Sequence, residues 1–166
     1  MAGMNRYFLL LGSNVGDRMD ELNSALSLIS RFIGIPDKIS SVYETAAWGK
    51  TDQQPFLNQV VSGLTDLDPF EVMLEALSAE RLRGRIREAK WAPRTIDIDL
   101  LFFDDQRISE PELTVPHPML HLRRFTLVPL CEIFPDFRHP VIGKPLCELL
   151  EELEDSLDVR RYIPEP

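Results

Sequence analysis

The chain has 166 residues, 44% of them hydrophobic and 27% charged, with a net charge of −9, and we read residues 1–166 as one domain with a real core. That acidity disfavours nonspecific binding to nucleic acid or to an anionic membrane, and no apolar run approaches the length of a membrane span. Cys131 and Cys147 show neither CxxC nor Cys/His metal spacing, and the N-terminus lacks a signal-peptide pattern, so two reduced thiols in a cytoplasmic protein are expected.

In chain order, Tyr7 to Leu11 predicts a short buried strand, and GSN (12–14) turns the chain. Asp17 is a candidate cap for a helix in which Met19, Leu22, Leu26 and Ile29 recur at helical spacing. Lys38 to Glu44 alternates as a strand, and Phe56 to Thr65 reads as another. Asp68-Pro69-Phe70-Glu71 is a helix start with cap, N-terminal proline and capping-box glutamate; its apolar stripe is read as Phe70, Met73, Leu74 and Leu77, and Gly84 ends it. A strand follows from Thr95, then short helices around Leu127–Phe134 and Leu146–Leu153. The order β-α-β-β-α-β predicts an α+β, ferredoxin-like core, an antiparallel sheet with helices on one side, plus a C-terminal extension.

The strand from Thr95 carries Asp97 and Asp99 among Ile96, Ile98, Leu100, Leu101, Phe102 and Phe103. Residues two apart share a strand face, so the carboxylates point the same way, with Cα atoms roughly 6–7 Å apart. Like charges at that spacing repel. A solvated sheet face would tolerate them. A magnesium site would explain them, because Mg²⁺ takes one or two carboxylates and completes its shell with water and substrate phosphates. The preceding segment strengthens the second reading: Arg81, Arg83, Arg85, Arg87, Lys90 and Arg94 accompany one acid, Glu88, while the rest of the chain has 12 basic and 26 acidic residues. A helix C-terminus accounts for Arg81 and Arg83, but not for the cations beyond Gly84. Carboxylates beside such a basic island suit a polyphosphate with its metals. Neither GxxxxGK[ST] nor GxGxxG is present, so a bound nucleotide would rely on arginines and metal.

Two other stretches suggest a flat partner and a polar site. Phe56 and Asn58 share a strand face, and an aromatic beside an amide suits a planar heterocycle, although aromatics are more often core. Residues 114–135 place His117, His121, Arg123, Arg124 and Phe125 close together in sequence.

LGSNVGDR, TAAWGKTDQQPFLNQVV, WAPRTIDIDLLFFDD and VPHPMLHLRRFTLVPLCEIFP occur here in the order found in the 6-hydroxymethyl-7,8-dihydropterin pyrophosphokinases of folate biosynthesis, and the chain resembles that family from about Tyr7 to its C-terminal region. The resemblance implies that ATP donates a pyrophosphoryl group to the pterin hydroxymethyl, releasing AMP. It implies two Mg²⁺ ions held by Asp97 and Asp99, with Arg85 and Arg94 assisting catalysis. It implies a pterin pocket of Thr45, Ala46, Trp48, Phe56, Asn58 and Phe125, with the ring between the two phenylalanines. It also implies ATP contacts from Arg87, Trp91, Thr114, His117 and Arg123, and a loop carrying Arg85 and Trp91 that closes over the substrates. The substrates are then ATP and the hydroxymethyl pterin, with no nucleic acid or membrane partner, and a cytoplasmic monomer is expected. Leu77 and His121 stand where some members carry polar and lysine residues. Two alternatives remain open: another Mg²⁺-dependent phosphotransferase or phosphohydrolase, which does not need Phe56, Asn58 and Phe125, and a catalytically silent pterin or nucleotide sensor.

Overall fold

Apolar residues at both parities of the first strand require burial on two faces, and β1 (Asn5–Ser13) lies inside the sheet with a strand on each side. The computed structural model describes residues 3–46, 53–84 and 95–164. β4 (Phe56–Thr65) and β5 (Asp97–Phe103) flank β1, both antiparallel to it. The far side of β4 is shared by β2 (Pro36–Ile39) and β3 (Tyr43–Thr45), and β3 pairs with β8 (Val159–Arg161). The order β5-β1-β4-β3-β8, with β2 beside β4, contains the ferredoxin-like arrangement expected from sequence. A two-stranded ribbon, β6 (Ile108–Ser109) with β7 (Thr114–Val115), stands apart.

The span expected as one strand from Lys38 to Glu44 is two. The Ser40 hydroxyl accepts the Val60 amide at 2.9 Å, and the Ser41 amide leaves the ladder for Glu132. A side chain thus replaces a backbone partner and splits the strand.

α1 (Arg18–Phe32) starts at Asp17, whose carboxylate accepts the Asp20 amide, and it buries Leu22, Ala25 and Ile29, with Met19 and Leu26 beside them. α2 (Pro69–Leu82) has a complete capping box between Asp68 and Glu71, an arrangement whose cap contributes about 1 kcal/mol. Gly84 follows at φ +83° and ends it as expected. The buried stripe is only partly the expected one: Met73 packs against the core, but the fully buried positions are others. Val72, Ala76, Ala79 and Glu80 face inward, whereas Phe70 is 37% and Leu74 55% exposed. Both stripes have helical period; the small Ala76 and Ala79 permit close packing on β5 and α1, which decides between them.

The helices do not lie on one side only. α1 and α2 cover Tyr7, Leu9, Leu11, Leu57, Val61, Ile98 and Leu100. The opposite face, with Phe8, Leu10, Val60, Leu101 and Phe102, is covered by α3 (Arg124–Ile133), α4 (Leu146–Glu152) and a 3-10 turn at Leu120–Leu122. A bulge between Phe8 and Leu9 lets the adjacent Leu101 and Phe102 both face this second core. The expectation of reduced thiols is also corrected. Cys131 on α3 and Cys147 on α4 form a disulfide, with Cα atoms 5.2 Å apart. A sequence separation of 16 hides this proximity; helix-on-helix packing creates it. Among the described residues no helix is long and apolar enough to cross a membrane.

Candidate active site

Register places the chemistry on one face. Asp99 pairs with Leu10, and Asp97 with Gly12; Leu10 pairs with Val60, and Gly12 with Asn58. Leu10 and Val60 belong to the α3/α4 core, so Asp97, Asp99 and Asn58 face the same side, and Phe56 joins them by strand period. The face is apolar toward Phe8 and Phe102 and becomes polar from Gly12 onward.

Asp97 and Asp99 are half-buried, not sealed. Asp99 is close enough to His117 and Arg123 to act on the titration of both. Burial lowers the Arg123 pKa and Asp99 opposes that shift. The guanidinium also lies 5.6 Å from the Phe125 ring centre. His117 is fastened twice: its amide donates to the Leu101 carbonyl at 2.9 Å, and its Nδ1 accepts the Met119 amide at 3.2 Å. Burial is the main force on its ring and lowers its pKa; Asp99 raises it and Arg123 lowers it. A neutral ring that accepts at Nδ1 carries its proton on Nε2. Hence His117 offers a hydrogen-bond donor where sequence suggested a possible cation.

Asn58 is 4% exposed, and its Nδ2 donates to Thr45 Oγ1 at 3.2 Å. Tyr43 lies opposite Asn58, and Thr45 opposite Phe56. Ala46 is exposed just beyond β3. Phe56 and Phe125 are both half-buried, the first on β4, the second in the opening turn of α3, which packs on β4 and β3. Thr114 is exposed on β7, three residues before His117. Trp48, Arg85, Arg87, Trp91 and Arg94 lie outside the described residues, as do Glu88 and Lys90.

Two carboxylates escaped the sequence reading. Glu80, 1% exposed on the inner face of α2, accepts the Ile98 amide at 2.9 Å, midway between Asp97 and Asp99. An acid in register with Val72, Ala76 and Ala79 was its sequence signal. Glu132 accepts the Ser41 amide at 2.9 Å and the Tyr43 hydroxyl at 3.1 Å, tying α3 to β3. Its pKa is lowered: burial raises it, but these hydrogen bonds and Arg161 outweigh that.

Among the described residues no three metal-ligating side chains cluster together. The donors present are two half-buried hard carboxylates, a set that suits Mg²⁺ better than a softer metal.

A family model described as 7,8-dihydro-6-hydroxymethylpterin-pyrophosphokinase (HPPK) matches residues 8–135. The 2-amino-4-hydroxy-6-hydroxymethyldihydropteridine pyrophosphokinase of Aquifex aeolicus is 44% identical over 149 residues, covering 90% of this chain and 92% of the relative. The Bacillus subtilis protein of the same name is 42% identical over 130 residues, 78% of each chain. In structure the chain is similar to wild-type Plasmodium falciparum HPPK-DHPS, with TM-score 0.72 and 18% identity over 92% of this chain. It spans only 42% of that longer protein, and the likeness there is one of fold.

Proposed function

This chain belongs to the 7,8-dihydro-6-hydroxymethylpterin-pyrophosphokinase family, and from that premise we propose that it transfers a pyrophosphoryl group from ATP to the hydroxymethyl group of 6-hydroxymethyl-7,8-dihydropterin in folate biosynthesis, yielding AMP. The observation that carries the reading is the single polar face on which the acid pair, the Arg123–His117 pair and the Asn58 amide stand side by side.

Each residue has a task in that reaction. Asn58, held by Thr45, reads the hydrogen-bonding edge of the heterocycle, while Phe56 and Phe125 hold its faces. The resemblance assigns Ala46 and Trp48 to the same pocket, Trp48 lying outside the described residues. Asp97 and Asp99 would hold Mg²⁺, two ions in our reading, which when bound offset the triphosphate charge. Arg123 and the Nε2 proton of His117 meet phosphate oxygens, with Thr114 and Arg87 near the nucleotide. The family resemblance assigns charge stabilisation to Arg85 and Arg94 and closure over the substrates to Trp91, residues outside those described. The hydroxymethyl oxygen attacks the β-phosphorus and the bond to the AMP oxygen breaks, so alignment and charge neutralisation do most of the work. Because the co-substrate is ATP, we place the protein in the cytoplasm, acting as a monomer through one domain spanning residues 1–166.

Chromatography and phosphorus NMR of a reaction with ATP, Mg²⁺ and the pterin test the proposal. AMP and pterin methyl diphosphate in equal amounts are expected. ADP or free phosphate as main product, or ATP consumption without pterin, would overturn it in favour of the hydrolase class.

A further inference from the structure

Gly12 occupies the centre of the polar face. It pairs with Asn58 on one side and with Asp97 on the other, in the strand between them. A glycine inside a strand costs roughly 0.5–1 kcal/mol relative to alanine, so it needs a reason. Backbone geometry does not supply one: among the described residues the glycines with positive φ are Gly16, Gly84 and Gly143. Space does. A Cβ at position 12 would lie 2.9 Å from Asn58 Oδ1 and 3.7 Å from Phe56 Cδ1. Gly34 and Gly63 differ in kind, because a Cβ there would strike backbone, the Leu64 carbonyl at 2.2 Å and the Ile35 carbonyl at 2.7 Å. Those two glycines serve chain packing. At Gly12 the first atom met is the tip of a side chain that reads ligand.

Resting on the pterin reading above, we propose that Gly12 is a specificity-determining residue: its missing side chain keeps the Asn58 amide in reading position. The Asn58 amide is confined, 4% exposed and bonded to Thr45 Oγ1. A methyl at position 12 is therefore accommodated by swinging the carbonyl end of the amide, which breaks the bond to Thr45 or turns the acceptor away from the ring. The cost of the extra methyl thus falls on the heterocycle and not on the fold.

A double-mutant cycle separates this role from packing. Calorimetry would follow binding of the pterin, with a nonhydrolysable ATP analogue and Mg²⁺ saturating, to the wild type, Gly12→Ala, Asn58→Ala and the double variant. Binding of the analogue alone and thermal melts would accompany it. Gly12→Ala is expected to weaken pterin binding by about tenfold or more, the scale of one misplaced hydrogen-bonding group. Analogue binding should change less than about twofold, and the melting temperature should not fall. In the Asn58→Ala background the Gly12 change should cost less than about twofold, since the amide it would displace is gone. Wild-type pterin affinity in Gly12→Ala, losses that multiply in the double variant, or an equal loss of the nucleotide analogue would each overturn the inference. A wild-type chain that binds no pterin overturns the parent reading, whereas unchanged binding by Gly12→Ala overturns only the role of Gly12.

Discussion

The two faces of one sheet are built from the same strands and serve different ends. On the α1/α2 face, Tyr7, Leu9 and Leu11 of β1 meet Leu57 and Val61 of β4 and Ile98 and Leu100 of β5, and two helices close over them without a break. On the α3/α4 face the apolar set stops at Leu10 and Val60; beyond it lie Gly12, Asn58, Phe56, Asp97 and Asp99. Hydrophobic burial is nondirectional and scales with area, so the first face can be filled wherever side chains fit. The second face is half scaffold and half site. Toward its polar half α3 presents Arg123 and Phe125 at its N-terminal end instead of more leucine. One side of the sheet is thus given wholly to packing, and the other is divided between packing and chemistry.

Substitutions on the two faces should therefore separate activity from stability. Asp97→Asn and Asp99→Asn should each lower turnover by about a thousandfold or more, the rate equivalent of several kcal/mol of lost charge stabilisation. The melting temperature should move by no more than about a few degrees, because neither side chain belongs to a core. Steady-state rates and thermal melts check this, and near-normal turnover in both variants would remove the acid pair from the chemistry. On the other face Leu22→Ala, at a fully buried position of α1, should cost about 2–5 kcal/mol in urea unfolding, with kcat nearly unchanged below the transition. A kcat loss matching that of the aspartates would mean the faces are coupled.

The smallest effect sharpens the boundary within the second face. His139, 4% exposed in the loop before α4, accepts the Val141 and Ile142 amides at Nδ1, packs against Phe102 and lies 5.9 Å ring to ring from His121. Burial, assisted by His121, pushes its pKa down from 6.5 to about 4. The unfolded chain therefore takes up a proton below about pH 6.5 that the folded chain refuses until about pH 4, so stability falls as pH drops through that window. The full loss is on the order of 3 kcal/mol. His139→Asn, which keeps an acceptor for the two amides, should flatten this part of the stability profile, measured by urea unfolding from pH 7 to pH 4. An unaltered slope would place the acid sensitivity elsewhere.

Much of this was readable before any coordinates. The caps at Asp17 and Asp68, the stop at Gly84, the strand from Phe56 to Thr65 and the shared face of Asp97 and Asp99 follow from rules that act over a few residues. So does the common face of Phe56 and Asn58. The motif resemblance named His117, Arg123 and Phe125 without saying how they are held.

What failed needed distance in three dimensions. Val72, Ala76 and Ala79 repeat as regularly as Phe70, Met73 and Leu77, and only packing on β5 and α1 selects the stripe with smaller side chains. Ser40 reads as a strand residue until its hydroxyl is seen to take a ladder bond from Val60. Cys131 and Cys147 read as independent thiols until α3 and α4 lie together. The charge state of His117 depends on burial and on Asp99 and Arg123, eighteen and six residues away in the chain. Local propensity and strand period, which depend on neighbours in sequence, were determined by the sequence alone. Which apolar stripe is buried, which thiols meet and which imidazole stays neutral depend on solvent exclusion by remote segments, and these only the tertiary structure decided.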